Sequence, residues 1–330
     1  LRGAFCFLIL FASIFLVVDF WKYYTRRNVE QIEINLLARG HDILIHLPCN
    51  NSSEDCNLFV RQDYFKRDDK FASSRGLYAN TTNGTDPVSV VALKVPRVLT
   101  VGHDNPLHFD VDHSQILMQH ELLAVAGPFI TSAIPLEAIK TRSDVFHRVL
   151  VLGSGVGSIS GYYAEEAKTG GILVEAVETN NDILSTGQKF FDNSNTSRVT
   201  YLNEDLMKMV DHSFKMGIKY DSIHVGPCDF NATNCPLSRP DKLALILSKN
   251  GTLSISMDSK MDNLTESMKK YNDEFKGCFQ VGKTEPIQII FCNFQEVKSS
   301  TDFFATIRAN AVDFDQLTGL KVTPLITVKE

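Results

Sequence analysis

Val149-Leu150-Val151-Leu152-Gly153-Ser154-Gly155-Val156-Gly157-Ser158 is the stretch that decides the fold. Four apolar residues running into glycine read as a short buried strand. Glycines at alternate positions let the chain turn sharply and let its backbone come close to a ligand. A helical pattern from Ser158 onward would set a helix N-terminus, with free N–H groups and partial positive charge, at the end of that turn. Further on, Glu178 closes a second apolar run, Ile172 to Val177. An acid there is where a ribose-binding carboxylate stands in doubly wound folds. The combination predicts a nucleotide site; the other reading of the same glycines is a tight structural turn.

Outward from this stretch the rhythm is strand, helix, strand, helix. Helices are expected over 158–168, ending at Gly170-Gly171, and over 182–191, opened by Thr179, Asn180 and Asn181. Short strands are expected at 199–202, 222–225 and 252–255, with an apolar helical stretch at 243–247 before the last of these. Leu264, Met268, Tyr271 and Phe275 share one helical face, and 278–283 with 287–294 reads as a closing β-pair. Such alternation predicts an α/β fold: a doubly wound, mostly parallel sheet covered on both faces, Rossmann-like, with a mixed edge. Upstream, apolar residues recur at helical spacing from Gln115 to Ile130. Residues 28–48 and 88–101 read as strands, and 68–87, rich in Ser, Asn, Thr, Gly and Asp, as an exposed loop. The expected organisation is a segment at 1–24, a small β-rich domain at 25–110, and the α/β domain at 111–330.

Gly3 to Phe20 carries one charge, Asp19, and is followed by Trp21, Tyr23 and Tyr24 with Lys22, Arg26 and Arg27. That length is at the lower edge of what crosses a membrane as a helix, and the aromatic and cationic flank suits the interface; the other reading, a buried core helix, fits less well because the segment shows no polar face. VVDFWKYY offers no small-residue cleavage site, so an uncleaved signal-anchor is preferred to a cleaved signal peptide. Eight Asn-x-Ser/Thr sequons begin at Asn50, Asn51, Asn80, Asn83, Asn195, Asn231, Asn250 and Asn263. Six of the seven cysteines lie beyond the apolar segment, in spaced pairs: Cys49 with Cys56, Cys228 with Cys235, and Cys278 with Cys292. Sequons and paired cysteines predict a glycosylated, disulfide-bonded body in the secretory lumen or outside the cell, single-pass in its membrane. The cations after the apolar segment pull the other way, since they favour a cytosolic flank.

The 330 residues carry a net charge of −6, with 44% hydrophobic and 22% charged residues, and no dense Lys/Arg block. That is an ordinary globular balance, and no nucleic-acid partner is expected. His103, His108, His113 and His120 stand among Asp104, Asp110 and Asp112; they read first as a solvated or hydrogen-bonded loop, next as a wall of the substrate pocket, and no metal is expected.

The glycine loop Gly153-Ser154-Gly155-Val156-Gly157, Glu178 in VEAVETN and Glu204-Asp205 in RVTYLNEDL together resemble class I S-adenosylmethionine-dependent methyltransferases. RVTYLNED, KYDSIHVGPCD (219–229) and QHELL (119–123) narrow the resemblance to the spermidine synthase branch. The resemblance implies the seven-stranded methyltransferase sheet and S-adenosylmethionine as small-molecule cofactor. It implies that Gly153, Ser154, Gly155 and Gly157 cradle the methionine part, that Glu178 holds the ribose hydroxyls, and that Asp205, beside Glu204, holds the adenine amino group; Gly226 completes the cofactor set. Three positions depart from spermidine synthases: Gly226 replaces the proton-accepting Asp, Gln119 replaces Tyr, and Val156 replaces the Asp of the loop. An amine nucleophile needs a nearby base. GSGVGS, with FCNF (291–294), looks more like the spermidine-synthase-like domain of eukaryotic protein methyltransferases.

Two functions from different classes stand. The preferred one is an enzyme, a membrane-anchored methyltransferase with a lumenal body and an unknown acceptor, oriented by Asp229, Glu121 and His120. The rival is a catalytically inactive binding protein on the same fold. Aminopropyl transfer is a further alternative, and a homodimer is left open.

Overall fold

The computed structural model describes residues 2–48, 57–81, 84–97, 99–139, 145–166, 171–228, 235–258, 264–281, 287–294 and 300–326. The chain divides into two compact units, one formed by Leu1–Asp86 and Leu93–Val111, the other by Pro87–Ala92 and Asp112–Glu330.

The first unit opens with one continuous helix, α1 (Arg2–Arg39), which replaces the strand expected at 28–39. EQIEINLL alternates, but it also carries a helical stripe: Ile32 and Leu36, four apart, are the buried residues, with Thr25 and Val29 half-buried on the same side. Gly40 ends the helix in a left-handed conformation (φ 76°), its N–H donating to the Leu36 carbonyl at 3.0 Å. Among the described residues no helix is long and apolar enough to cross a membrane. The described side chains of α1 begin at Ile14.

Strands β1 (His41–Pro48), β2 (Asn57–Arg67), β3 (Lys70–Thr81), β4 (Gly84–Lys94) and β5 (Asp110–Ile116) form a sheet in chain order. Most of the expected loop at 68–87 is therefore strand. Asp68 and Asp69, at φ 50° and 59°, make the turn between β2 and β3, a two-residue hairpin with Arg67 paired to Lys70. Polar composition misleads because the polar groups of β3 are satisfied inside the sheet. Arg75 is buried and donates to Gln62 Oε1 and to the Pro106 and Phe109 carbonyls, and Ser73 donates to the Asp63 carbonyl.

The second unit begins with α2 (Gln119–Ile130) and runs β6 (His147–Leu152), α3 (Ser158–Glu166), β7 (Ile172–Glu178), α4 (Asn181–Phe190), β8 (Val199–Asn203), α5 (Leu206–Lys215) and β9 (Tyr220–Val225). It continues with α6 (Pro240–Ile246), β10 (Leu247–Asp258), α7 (Leu264–Glu274), β11 (Gly277–Val281), β12 (Ile287–Asn293) and α8 (Ser300–Thr318). The sheet order is β11-β12-β10-β9-β6-β7-β8. The five strands from β10 to β8 are parallel, and β12 joins antiparallel to both β10 and β11.

Val149, Val151, Val174, Ala176 and Phe291 face α2, α3, α4 and α8; Leu150, Leu152, Ile223, Val225, Leu253 and Ile255 face α5, α6 and α7. Helix α8 lies beyond the sequence reading. It buries Ile307 and Phe314, each worth about 1.5–3 kcal/mol when removed from water. Disulfides join Cys228 to Cys235 and Cys278 to Cys292, as the spacing predicted; the second ties directly opposed residues of β11 and β12. Cys49, Cys56 and the sequons at Asn50, Asn51, Asn83, Asn231 and Asn263 lie outside the described residues. Asn80, Asn195 and Asn250 are exposed.

Candidate functional site

The order of strands reverses between β6 and β9, and the loops leaving those two strands separate there. This is where doubly wound sheets open a crevice for ligands. Leu152 pairs with Val225, so Gly153 and Gly226 leave the sheet side by side. The Gly226 N–H donates to the Leu152 carbonyl at 2.8 Å. A Cβ on Gly226 would lie 2.8 Å from the Gly153 oxygen, which explains the glycine by close approach of two backbones.

Gly153, Gly155 and Gly157 all have positive φ (78°, 56° and 83°). Their roles separate by what a Cβ would meet. At Gly157 it would come within 2.5 Å of Asn193 Nδ2, whereas at Gly155 nothing among the described residues lies within 4 Å, so the loop is packed beneath and open at its crest. Asn193 holds the underside: its Nδ2 donates to the Val156 carbonyl and its Oδ1 accepts from the Tyr201 hydroxyl at 3.0 Å. Val156 is itself buried there. Sequence reasoning missed Asn193, because nothing in DNSN (192–195) separates it from a loop asparagine.

Glu178, at the end of β7, is buried. Its Oε2 accepts from the Gly155 N–H (2.9 Å) and its Oε1 from the Asn180 N–H (3.0 Å). Burial raises its pKa above the usual carboxylate value, and these backbone donors oppose the rise. Asn203 donates to the Glu178 and Thr179 carbonyls at 2.9 and 3.1 Å and fixes the strand end. Asp205 is the N-cap of α5, its Oδ1 accepting from the Lys208 N–H at 2.9 Å, and the Glu204 N–H reaches the Glu178 carbonyl. The loop glycines, Glu178, Glu204, Asp205 and Gly226 thus gather at the carboxyl ends of β6 to β9.

Glu121 stands on the first turn of α2, fully buried. Its Oε1 accepts from Ser158, the first residue of α3, at 2.6 Å and from Ser89 at 2.7 Å, while Oε2 has no partner among the described residues. Burial pushes its pKa up to about 7 against those two hydroxyls. Beside it, burial lowers His120 to about 4. Asp229 lies outside the described residues. Of the histidine-rich stretch, His103 bonds Thr100 and His108 bonds the Gly102 carbonyl; no metal-binding group forms among the described residues.

This geometry has solved counterparts. Human methyltransferase-like protein 13, crystallised with SAH, superposes with a TM-score of 0.51 at 17% identity, over 62% of this chain and 94% of that one. A probable spermidine synthase from Corynebacterium glutamicum gives a TM-score of 0.51 at 11% identity, over 87% and 97%. The chain has a spermidine synthase-like methyltransferase fold. No protein-family profile and no curated protein matches the sequence. The resemblance carried by the glycine loop and its acids is therefore matched at the level of fold.

Proposed function

We propose that this protein is an S-adenosylmethionine-dependent methyltransferase, anchored in a secretory-pathway membrane through α1, with its body in the lumen or outside the cell. The observation that carries the cofactor reading is the loop at the strand-order reversal: three left-handed glycines, closed beneath by Asn193 and open at Gly155, with a buried carboxylate touching the crest. A backbone with no side chain at its crest fits a ligand that must come close. Human methyltransferase-like protein 13, which shares the fold, was crystallised with SAH.

When bound, the cofactor supplies a methyl group on a sulfonium centre. The residues here bind and orient. Glu178 uses two or three of its roughly four acceptor positions on Gly155, Asn180 and Thr179, leaving capacity for a ribose hydroxyl. Asp205 keeps one carboxylate oxygen beyond its cap bond, and Ser154 Oγ has no partner among the described residues. Proximity and alignment supply most of the acceleration in such a displacement, so a glycine at 226 is compatible with methyl transfer. It removes the base that amine chemistry would use there.

A non-catalytic binding protein is the second reading, favoured by the same bonds of Glu178, which already occupy both of its oxygens. Calorimetric titration with S-adenosylmethionine and SAH separates the two. Binding with measurable heat supports the first; no heat and no thermal shift at millimolar ligand would sink methyl and aminopropyl transfer alike. The lumenal placement rests on the sequons, the cysteine pairs and the exposed Phe15, Leu16, Val17, Phe20 and Trp21 of α1. Endoglycosidase digestion of protein made in animal cells, with and without reductant, tests it: a band that moves under neither treatment would place the body in the cytosol.

A further inference from the structure

Side chains of β9 alternate between the two faces of the sheet. Ile223 and Val225 enter the core against α5 to α7, so His224 and position 226 point to the α2 side. Gly226 has no room for a side chain there. One pleat deeper stands His224, 5% exposed, paired in register with Val151 of β6 and Ser254 of β10. Its Nδ1 is sealed from solvent without a hydrogen-bond partner among the described residues.

Helix α2 runs over this face against the direction of β10. Thr131 Oγ1 meets Thr252 Oγ1 at 2.5 Å, and a Cβ on Gly127 would lie 2.9 Å from Ser254 Oγ. Two turns nearer the helix start, His120 therefore comes over the carboxyl ends of β9 and β10, 9% exposed, close enough that its charge would depress that of His224. Ser254 Oγ, Ser256 Oγ and Glu121 Oε2 are also sealed and unpartnered among the described residues. Each such buried group costs about 1–3 kcal/mol, and so many on one face call for a use.

We propose that His224, together with His120, forms the acceptor-side wall of the site and selects an uncharged, hydrogen-bonding nucleophile over a polyamine cation. This rests on the methyltransferase reading above and names its acceptor class. Among the described side chains facing this region from α2, β9 and β10, the sole carboxylate is Glu121, and Ser89 and Ser158 hold one of its oxygens. Burial keeps both imidazoles neutral at physiological pH. Each neutral ring offers one donor and one acceptor, a match for an imidazole, amide or neutral amine. A diamine would bring two charges and meet at most one counter-charge, and an unpaired buried charge costs several kcal/mol.

The test uses the full chain saturated with SAH, with histidine-ring NMR reading two probes. One is imidazole at about pH 8.5, where it is largely uncharged; the other is putrescine. Imidazole is expected to shift the His224 and His120 ring signals and to bind at least about tenfold tighter than putrescine, the discrimination expected of roughly one buried hydrogen bond to a charged or neutral partner. His224→Phe should weaken imidazole by about tenfold or more, and His224→Gln should restore most of it. SAH affinity should change little in either variant. If His224→Phe fails to fold, His224→Gln and the ring shifts of the unaltered protein still decide. Putrescine binding as tightly as imidazole, ring signals that do not move, or imidazole binding indifferent to His224→Phe would each overturn the proposal while SAH still binds. Failure of SAH to bind the unaltered protein would instead overturn the methyltransferase reading beneath it.

Discussion

Two halves of the α/β unit treat their buried polar groups in opposite ways. Around β6, β7 and β8 most are closed among themselves, Ser154 Oγ excepted: Glu178 on the Gly155 and Asn180 N–H groups, Asn193 between Val156 and Tyr201, Asn203 on the carbonyls at the end of β7. Under α2, on β9 and β10, His224 Nδ1, Ser254 Oγ, Ser256 Oγ and one oxygen of Glu121 have no partner among the described residues. The first half is a rigid cradle made mostly of backbone, whose shape is set before any ligand arrives. The second keeps polar capacity unspent, and a fold retains that at a cost in stability where something else is to be bound.

The contrast can be broken most forcefully at the cradle. Gly226→Asp, which would restore the acid of spermidine synthases, should fail to restore amine chemistry. Its Cβ meets the Gly153 oxygen at 2.8 Å, so the loop must move, and SAH affinity measured by calorimetry should fall by roughly 100-fold or more, in line with the cost of a strained backbone at a ligand clamp. Retained SAH binding would show the loop to be softer than its packing implies. Glu178→Ala comes next. It removes the acceptor of two backbone N–H groups, and hydrogen bonds to a charged group are worth about 1.5–3 kcal/mol each, so a loss of roughly 10- to 100-fold in SAH affinity is expected.

Away from both halves, Cys278→Ala opens the disulfide that staples β11 to β12. It should lower stability by about 3 kcal/mol in the chain-entropy model, which denaturant unfolding would read, and leave SAH binding of the folded protein nearly unchanged. The smallest effect is the one that sharpens the comparison on the α2 side. Burial raises the folded pKa of Glu121 to about 7 from the ordinary carboxylate value of 4.5, so the folded state prefers the protonated acid. Its contribution to stability is complete below about pH 4.5 and is lost as pH rises through about 7. Glu121→Gln cannot ionise; its stability relative to the unaltered protein should improve between about pH 5 and pH 8 by at most about 3 kcal/mol. A pH-independent difference in unfolding free energy would mean that Glu121 is paired with a cation.

Much of the backbone geometry of the candidate site was legible in the sequence because glycine and acid positions report backbone geometry directly. Gly153, Gly155 and Gly157 are needed where φ is positive, and Glu178 stands where β7 ends, so strand, turn and acid could be placed without a tertiary contact. The two described cysteine pairs agree with the pairing of near neighbours that the spacing suggested, although six cysteines allow 15 connectivities and spacing does not choose among them. Reading failed where local pattern is ambiguous. Residues 28–39 alternate like a strand and also satisfy a helical stripe; packing of Ile32 and Leu36 chose the helix. Residues 70–81 look like a loop until Gln62 and two carbonyls satisfy Arg75. His224 carried no signal at all, because a histidine inside a strand pattern looks like any other half-polar position.

By itself, then, the sequence determined the alternation of elements, the turn geometry of the loop and the acid that faces it, since these follow from the conformational freedom of glycine and from hydrophobic period. Only the tertiary structure decided why position 226 must be glycine, what holds the loop from below, and which polar groups remain unpaired beneath α2. Those depend on which backbones and side chains meet across the sheet, and contact between residues far apart in the chain leaves no local mark on either of them.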